Sequence, residues 1–227
     1  MSIVFGIWII SIPVLIIAST VNVFAGSNDL YRWGFNKYQI VDKTGISDLQ
    51  LTEVGKAMAG YLAGSLSSPQ VIVDLKGQKK LLYSEKELVH LKDVREIVWL
   101  FQLLQMISIV LLIITGLVLH LKKGTAILLS GAKIGAVISI GITGLLVVWS
   151  LIDFESLFYL FHIISFSNDL WILDPSRDYL IMMFPQGFFN DAAIFMVISI
   201  LVAAIILLVI SSLVYKALTG TGKIAWG

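Results

Sequence analysis

The chain contains no cysteine, which excludes disulfide stapling of any part exposed to water and removes a thiol nucleophile. Charge is scarce too. Asp, Glu, Lys and Arg make up 14% of 227 residues, against 58% hydrophobic residues and a mean hydropathy of +0.92, a balance foreign to a water-soluble domain of this size. The net charge of +1 argues against nucleic acid as a partner. No G-x-S-x-G occurs, and Ser84, Ser165 and Ser167 read as caps and turns, so a serine acyl-enzyme is not expected. The H-E-x-x-H spacing of a zinc site is missing. No inverted repeat or pair of broken helices marks a transporter, and the one charge well inside an apolar run, Lys133, lies close enough to its end to snorkel.

What the chain does have is long apolar runs. Four of them, approximately 3–25, 97–119, 126–151 and 193–215, suffice to cross a hydrocarbon layer of about 30 Å, which takes roughly 20 helical residues. The expected fold class is a membrane all-α core of four transmembrane helices with a small extracellular α/β cap. Residues 1–227 form a single membrane domain in this reading, with the cap built from 26–96 and 152–192. Charge gives the direction. Nineteen charged residues lie between 26 and 96 and seven between 153 and 191, whereas the remaining five are lysines: Lys122, Lys123, Lys133, Lys216 and Lys223. Lysine and arginine in short loops are retained on the cytoplasmic side, so both termini are expected inside and both excursions outside. "VFAGS" resembles a signal-peptide cleavage site, but its apolar run exceeds the usual length of about 7 to 15 residues and no basic region precedes it. The first run is read as a span.

The first excursion predicts a short strand in "YQIVDKTG", a turn at Thr44-Gly45, and a helix starting at Thr52-Glu53 with apolar spacing at Val54, Met58 and Leu62. "PQVIVDLKGQKKLLYS" alternates like a hairpin turning at Lys76-Gly77. Ser84 with Glu87 three residues on makes a capping box, opening a helix that carries His90 into the second span. The second excursion is richer in Phe, Tyr, Trp, Ile and Leu than water tolerates, yet too broken to span, so it should lie at the membrane interface. A helix is expected over 153–166, with breaks at Asp174-Pro175 and Phe184-Pro185 and Asn190 capping the fourth span.

Of the three histidines, His120 sits beside Lys122 and Lys123 as a polar helix end. His90 and His162 map to the same outer boundary, one from each excursion. Asp93 and Glu87 stand three residues either side of His90, on its helical face, so a carboxylate could hold that ring and set its tautomer. Phe158 and Tyr159 lie one turn before His162. Two imidazoles beneath an aromatic lid could serve one substrate as base and acid; the plainer alternative is that each satisfies an interfacial hydrogen bond. His90 with Asp93 supplies at most half a metal site, and neither a metal nor a cofactor is expected.

Three strings in their topological slots carry a resemblance: "YRWGFNKY" after the first span, "EKELVHLKDVR" entering the second, and "FHIISFSNDLWILDPSRDYLIMMFPQGFFND" before the fourth. With them the chain resembles, over essentially its whole length, the lipoprotein intramolecular transacylase family, Lit, of Gram-positive bacteria. The resemblance implies an acyltransferase of the cell membrane whose substrate is a diacylglyceryl-modified lipoprotein, met among membrane lipid. The sn-2 acyl group would move to the α-amino group of the N-terminal cysteine, giving a lyso-form lipoprotein. It implies His90 and His162 as the catalytic pair. Asp93, Arg32, Asn168 and Asp169 are carried as orienting or oxyanion-binding residues, and Tyr38, Phe158, Tyr159 and Trp171 as substrate-lining ones. The competing expectation is a non-catalytic membrane module, a chaperone or sensor whose cap binds a partner.

Overall fold

The computed structural model describes residues 2–220, so Lys223 lies outside the described residues. In chain order the elements are α1 (Ser2–Ala25), α2 (Asn28–Lys37), α3 (Ile40–Thr44), α4 (Asp48–Ala63), β1 (Ile72–Leu75), β2 (Gln78–Leu81), α5 (Glu85–Lys123), α6 (Thr125–Ile152), α7 (Phe154–Ser165), α8 (Tyr179–Met183) and α9 (Gln186–Gly220). The chain is therefore mostly helical, with one two-stranded sheet among the described residues. Four helices, α1, α5, α6 and α9, are long and apolar enough to cross a membrane.

The chain divides into two compact units. The first takes its helices from Met1–Thr20, Phe101–Trp149 and Met196–Gly227. Large apolar side chains such as Ile3, Leu103, Met106, Ile113, Leu117, Leu145 and Leu213 point outward, while Ala18, Ala136, Ala204, Ser139 and Ser211 are buried. That inversion suits lipid, where close backbone approach over small residues replaces the hydrophobic drive of water. Trp8 shows it: a Cβ on Gly131 would stand 2.5 Å from its ring and one on Gly116 2.8 Å away. Its indole N–H donates to the Leu128 carbonyl at 3.2 Å. Buried hydroxyls turn back on their own helices, Ser139 onto Gly135 and Thr143 onto Ser139, so these two do not face hydrocarbon unpaired.

The second unit, Val21–Leu100 with Ser150–Phe195, has a conventional core. Tyr31 and Phe35 from α2, Leu51, Val54 and Met58 from α4, Val73 and Leu82 from the hairpin, and Leu180, Met183, Phe184 and Phe188 pack together. The expected stripe Val54, Met58, Leu62 faces this core. The helix bearing it starts earlier than Thr52, because Ser47 and Gln50 form a capping box that begins α4 at Asp48. The hairpin forms as expected: Ile72 pairs with Leu81 and Leu75 with Gln78, joined by Lys76 and Gly77, whose positive φ values of 56° and 85° match the twist of a two-residue turn.

Two expectations fail. "YQIV" is not a strand but the entry to the single-turn helix α3, held between Gln39 at φ 52° and Gly45 at φ 73°. Burying Ile40 completely outweighs the β preference of a short apolar run. Asn190 does not cap the fourth long helix, which starts four residues sooner at Gln186, behind Pro185, whose carbonyl accepts from the Phe188 N–H at 2.8 Å. The expected helix over 153–166 is present as α7, capped by Asp153, whose carboxylate accepts from the Ser156 N–H at 2.9 Å.

Candidate active site

α5 begins on the Ser84–Glu87 box. The Ser84 N–H and hydroxyl both donate to one Glu87 oxygen at 2.7 Å, and the other oxygen accepts from the Leu180 N–H at 2.7 Å. Glu87, 1% exposed, thus ties the start of α5 to the start of α8. It does not hold the His90 Nδ1, which is buried without a partner.

One turn further along α5, His90 faces His162 of α7. Their ring centroids are 6.2 Å apart at 30°, and both residues are buried at 7% exposure. Phe166 presents itself to both, its centroid 5.0 Å from His90 and 5.5 Å from His162. Phe158 at 4.3 Å and Trp171 at 4.8 Å complete an aromatic wall around His162. The His162 Nδ1–H donates to the Phe158 carbonyl at 2.7 Å. Since a carbonyl only accepts, neutral His162 carries its proton on Nδ1 and its lone pair on Nε2. His90 Nδ1 is buried without a hydrogen-bond partner.

Both histidines precede or lie apart from the apolar stretch that starts at residue 97, and burial depresses both. The His90 pKa falls to about 4, first through desolvation and then through the neighbouring His162, with Asp93 pulling the other way. Desolvation lowers His162 as well, opposed by its bond to Phe158. The pair is neutral at pH 7, a state suited to accepting a proton at one ring and offering a neutral N–H at the other.

The other anticipated residues divide into those near this pair and those elsewhere. Asp93 accepts from Asn168 Nδ2 at 2.9 Å, and Asn168 Oδ1 accepts from the Leu170 N–H at 3.0 Å, so this pair pins the segment after α7 to α5. Asp93 acts on His90 through its charge. Asp169 is exposed. Phe158, Tyr159 and Trp171 line a cleft of about 400 Å³ together with Asp153, Glu155 and Gln186; two of these rings are the walls of His162. Tyr38 does not line that cleft: it donates to Asp191 at 2.5 Å and its hydroxyl lies against Gly187, next in the chain to the cleft's Gln186. Arg32 sits on the exposed side of α2, opposite the buried Tyr31 and Phe35, and is in no ion pair among the described residues. No group of three His, Asp or Glu side chains that could hold a metal ion occurs among the described residues. Sequence reasoning passed over Glu87 as a clamp and Arg95 altogether; a capping box marks the first, and the second sits one helical turn before a tryptophan where the apolar run opens.

A multi-pass membrane protein with two buried, neutral, adjacent imidazoles is what the fold and the site define. The family model for lipoprotein intramolecular transacylase Lit matches residues 6–189, and the chain belongs to that family. Membership places it among the acyltransferases. The in meso structure of the membrane integral Lit from Bacillus cereus is similar, with a TM-score of 0.80 and 24% identity over 99% of this chain and 98% of that one. A histidine-to-alanine variant of the same protein superposes with a TM-score of 0.76 at 24% identity, over 99% of this chain and 96% of that one. At that identity the likeness concerns the fold. Among curated proteins none matches.

Proposed function

We propose that the chain transfers the sn-2 acyl group of a diacylglyceryl lipoprotein to the α-amino group of that lipoprotein's N-terminal cysteine. The observation that carries this reading is the pairing of His90 with His162 at 6.2 Å, with the His162 tautomer set by the Phe158 carbonyl. Nucleophile and electrophile both belong to the substrate, which accounts for a site without cysteine and without an activated serine. The neutral amine attacks the ester carbonyl while His162 Nε2 takes its proton. The neutral N–H of His90 faces the oxyanion of the tetrahedral intermediate. As that intermediate collapses the carbon–oxygen bond breaks, the new amide remains, and the proton passes from His162 to the departing glyceryl oxygen. Asp93, with its charge near His90, offsets part of the burial that disfavours any positive charge there. Holding ester and amine together can contribute about 7 to 11 kcal/mol in well-oriented cases, and the aromatic walls at Phe158, Phe166 and Trp171 supply a rigid place to do so.

Topology belongs to the same proposal. Residues 26–96 and 152–192 form an extracellular cap on one membrane domain spanning at about 3–25, 97–119, 126–151 and 193–215, with both termini cytoplasmic. The lysines at 122, 123, 133 and 216 support it through the bias of basic loops toward the cytoplasm. The deciding experiment incubates purified protein with a diacylglyceryl lipoprotein and weighs its N-terminal peptide by mass spectrometry. His162→Ala and His90→Ala should each lose about a hundredfold or more in conversion, the scale of a general base or acid. Undiminished conversion by both folded variants would defeat the reading and leave a membrane module that binds a partner through its cap.

A further inference from the structure

On the opposite side of α5 from His90 lies a second concavity, of about 340 Å³. Leu88, Lys92, Arg95 and Trp99 line it at i, i+4, i+7 and i+11, one stripe of the helix, and Tyr61 with Ser67 and Ser68 closes the other side. Arg95 is the unusual member. Its guanidinium carbon lies over two rings, 4.4 Å from the Tyr61 centroid and 4.6 Å from that of Trp99, and its Nε is buried without a hydrogen bond. Contact with two aromatic rings restrains the guanidinium, whose planar donor fork suits two-point binding of a phosphate. Lys92 adds a mobile cation. It meets Glu96, the pocket's one carboxylate, only at 4.0 Å with both side chains more than half exposed, a pairing worth little in water. The two serine hydroxyls can donate to the remaining phosphate oxygens.

Its position says where such a phosphate comes from. Trp99 opens the apolar stretch of α5 and is 48% exposed, and Leu100 beside it is exposed as well. A ligand with its phosphate at Arg95 and Lys92 would begin its apolar tail at these side chains, and an anionic headgroup at a basic pocket on a membrane boundary is a known mode of lipid recognition. The geometry points to a binding site for the phosphate of an anionic phospholipid, formed by Arg95 and Lys92 with the Ser67–Ser68 hydroxyls and separate from the histidine pair. It goes beyond the proposed acyl transfer and does not depend on it.

Native mass spectrometry of the full-length protein in nonionic detergent tests this with three probes: dioleoylphosphatidylglycerol, dioleoylglycerol and soluble glycerol phosphate. The phospholipid should be retained better than the uncharged diacylglycerol, and Arg95→Gln should lower phospholipid retention about tenfold, the weight of one charge-assisted hydrogen bond, while leaving diacylglycerol retention unchanged. Lys92→Glu, on an exposed side chain, should lower it in the same direction without risk to folding. Glycerol phosphate retained as well as the lipid would support the phosphate site with a soluble ligand as its source. Equal phospholipid retention by the wild type, Arg95→Gln and Lys92→Glu would overturn the proposal, and that result does not bear on acyl transfer.

Discussion

The bond from His162 Nδ1–H to the Phe158 carbonyl decides more about the chemistry than the histidine itself, because it leaves Nε2 as the one basic nitrogen of that ring. Its consequence is a pH dependence of a particular shape. Burial keeps the His90 pKa near about 4 and that of His162 below its ordinary value, so both rings stay neutral as the pH falls through 6.5. The base therefore remains available at mildly acidic pH. An α-amino group has a pKa of about 7.7 to 8.0 and must be neutral to attack, so the rate should still be climbing as the pH passes 7 and level off near pH 8. Initial rates of lipoprotein conversion across that range check this. A plateau already reached by pH 7, with an inflection near 6.5, would mean that an ordinary imidazole controls the reaction.

At the scale of elements, what holds the second unit is the close seating of α2 on the start of α9. A Cβ on Gly34 would stand 2.5 Å from Phe188 Cδ2 and 2.6 Å from Cε2, and Phe188 cannot retreat because Tyr31, Phe184 and Phe189 surround it. Gly34→Ala should therefore cost about 1 to 3 kcal/mol, as overpacking of a tight core does, and lower the thermal unfolding midpoint in detergent. Gly141→Ala in α6, where a Cβ meets nothing within 4 Å, is the control and should leave the midpoint unchanged or raise it, since alanine favours helix over glycine. Legibility differed among elements for identifiable reasons. The hairpin was readable because Lys-Gly between alternating runs admits few other conformations. α3 was not, because "YQIV" satisfies a strand pattern and becomes helical only through the αL residues at either end and the cavity that Ile40 fills.

For the whole molecule, the absence of cysteine makes topology directly measurable. Lys79→Cys, on the exposed strand β2, and Lys122→Cys, at the end of α5, each give a single thiol. In intact cells a membrane-impermeant maleimide should label the first and spare the second until the membrane is opened. Labelling of residue 122 from outside would invert the proposed orientation.

The amino-acid sequence by itself determined the four helices long and apolar enough to cross a membrane, the hairpin, the capping box at Ser84 and the helical setting of both histidines. These follow from local chemistry: apolar length against bilayer thickness, turn residues against φ, and hydroxyls against unpaired N–H groups. Tertiary structure alone decided that His90 and His162, 72 positions apart, stand with ring centroids 6.2 Å from each other, that Asp93 bonds Asn168 rather than the ring beside it, and that Arg95 lies over the Tyr61 ring. Each of those is a contact between segments distant in the chain, and no local pattern reports which surfaces the core brings together once water and lipid are excluded from it.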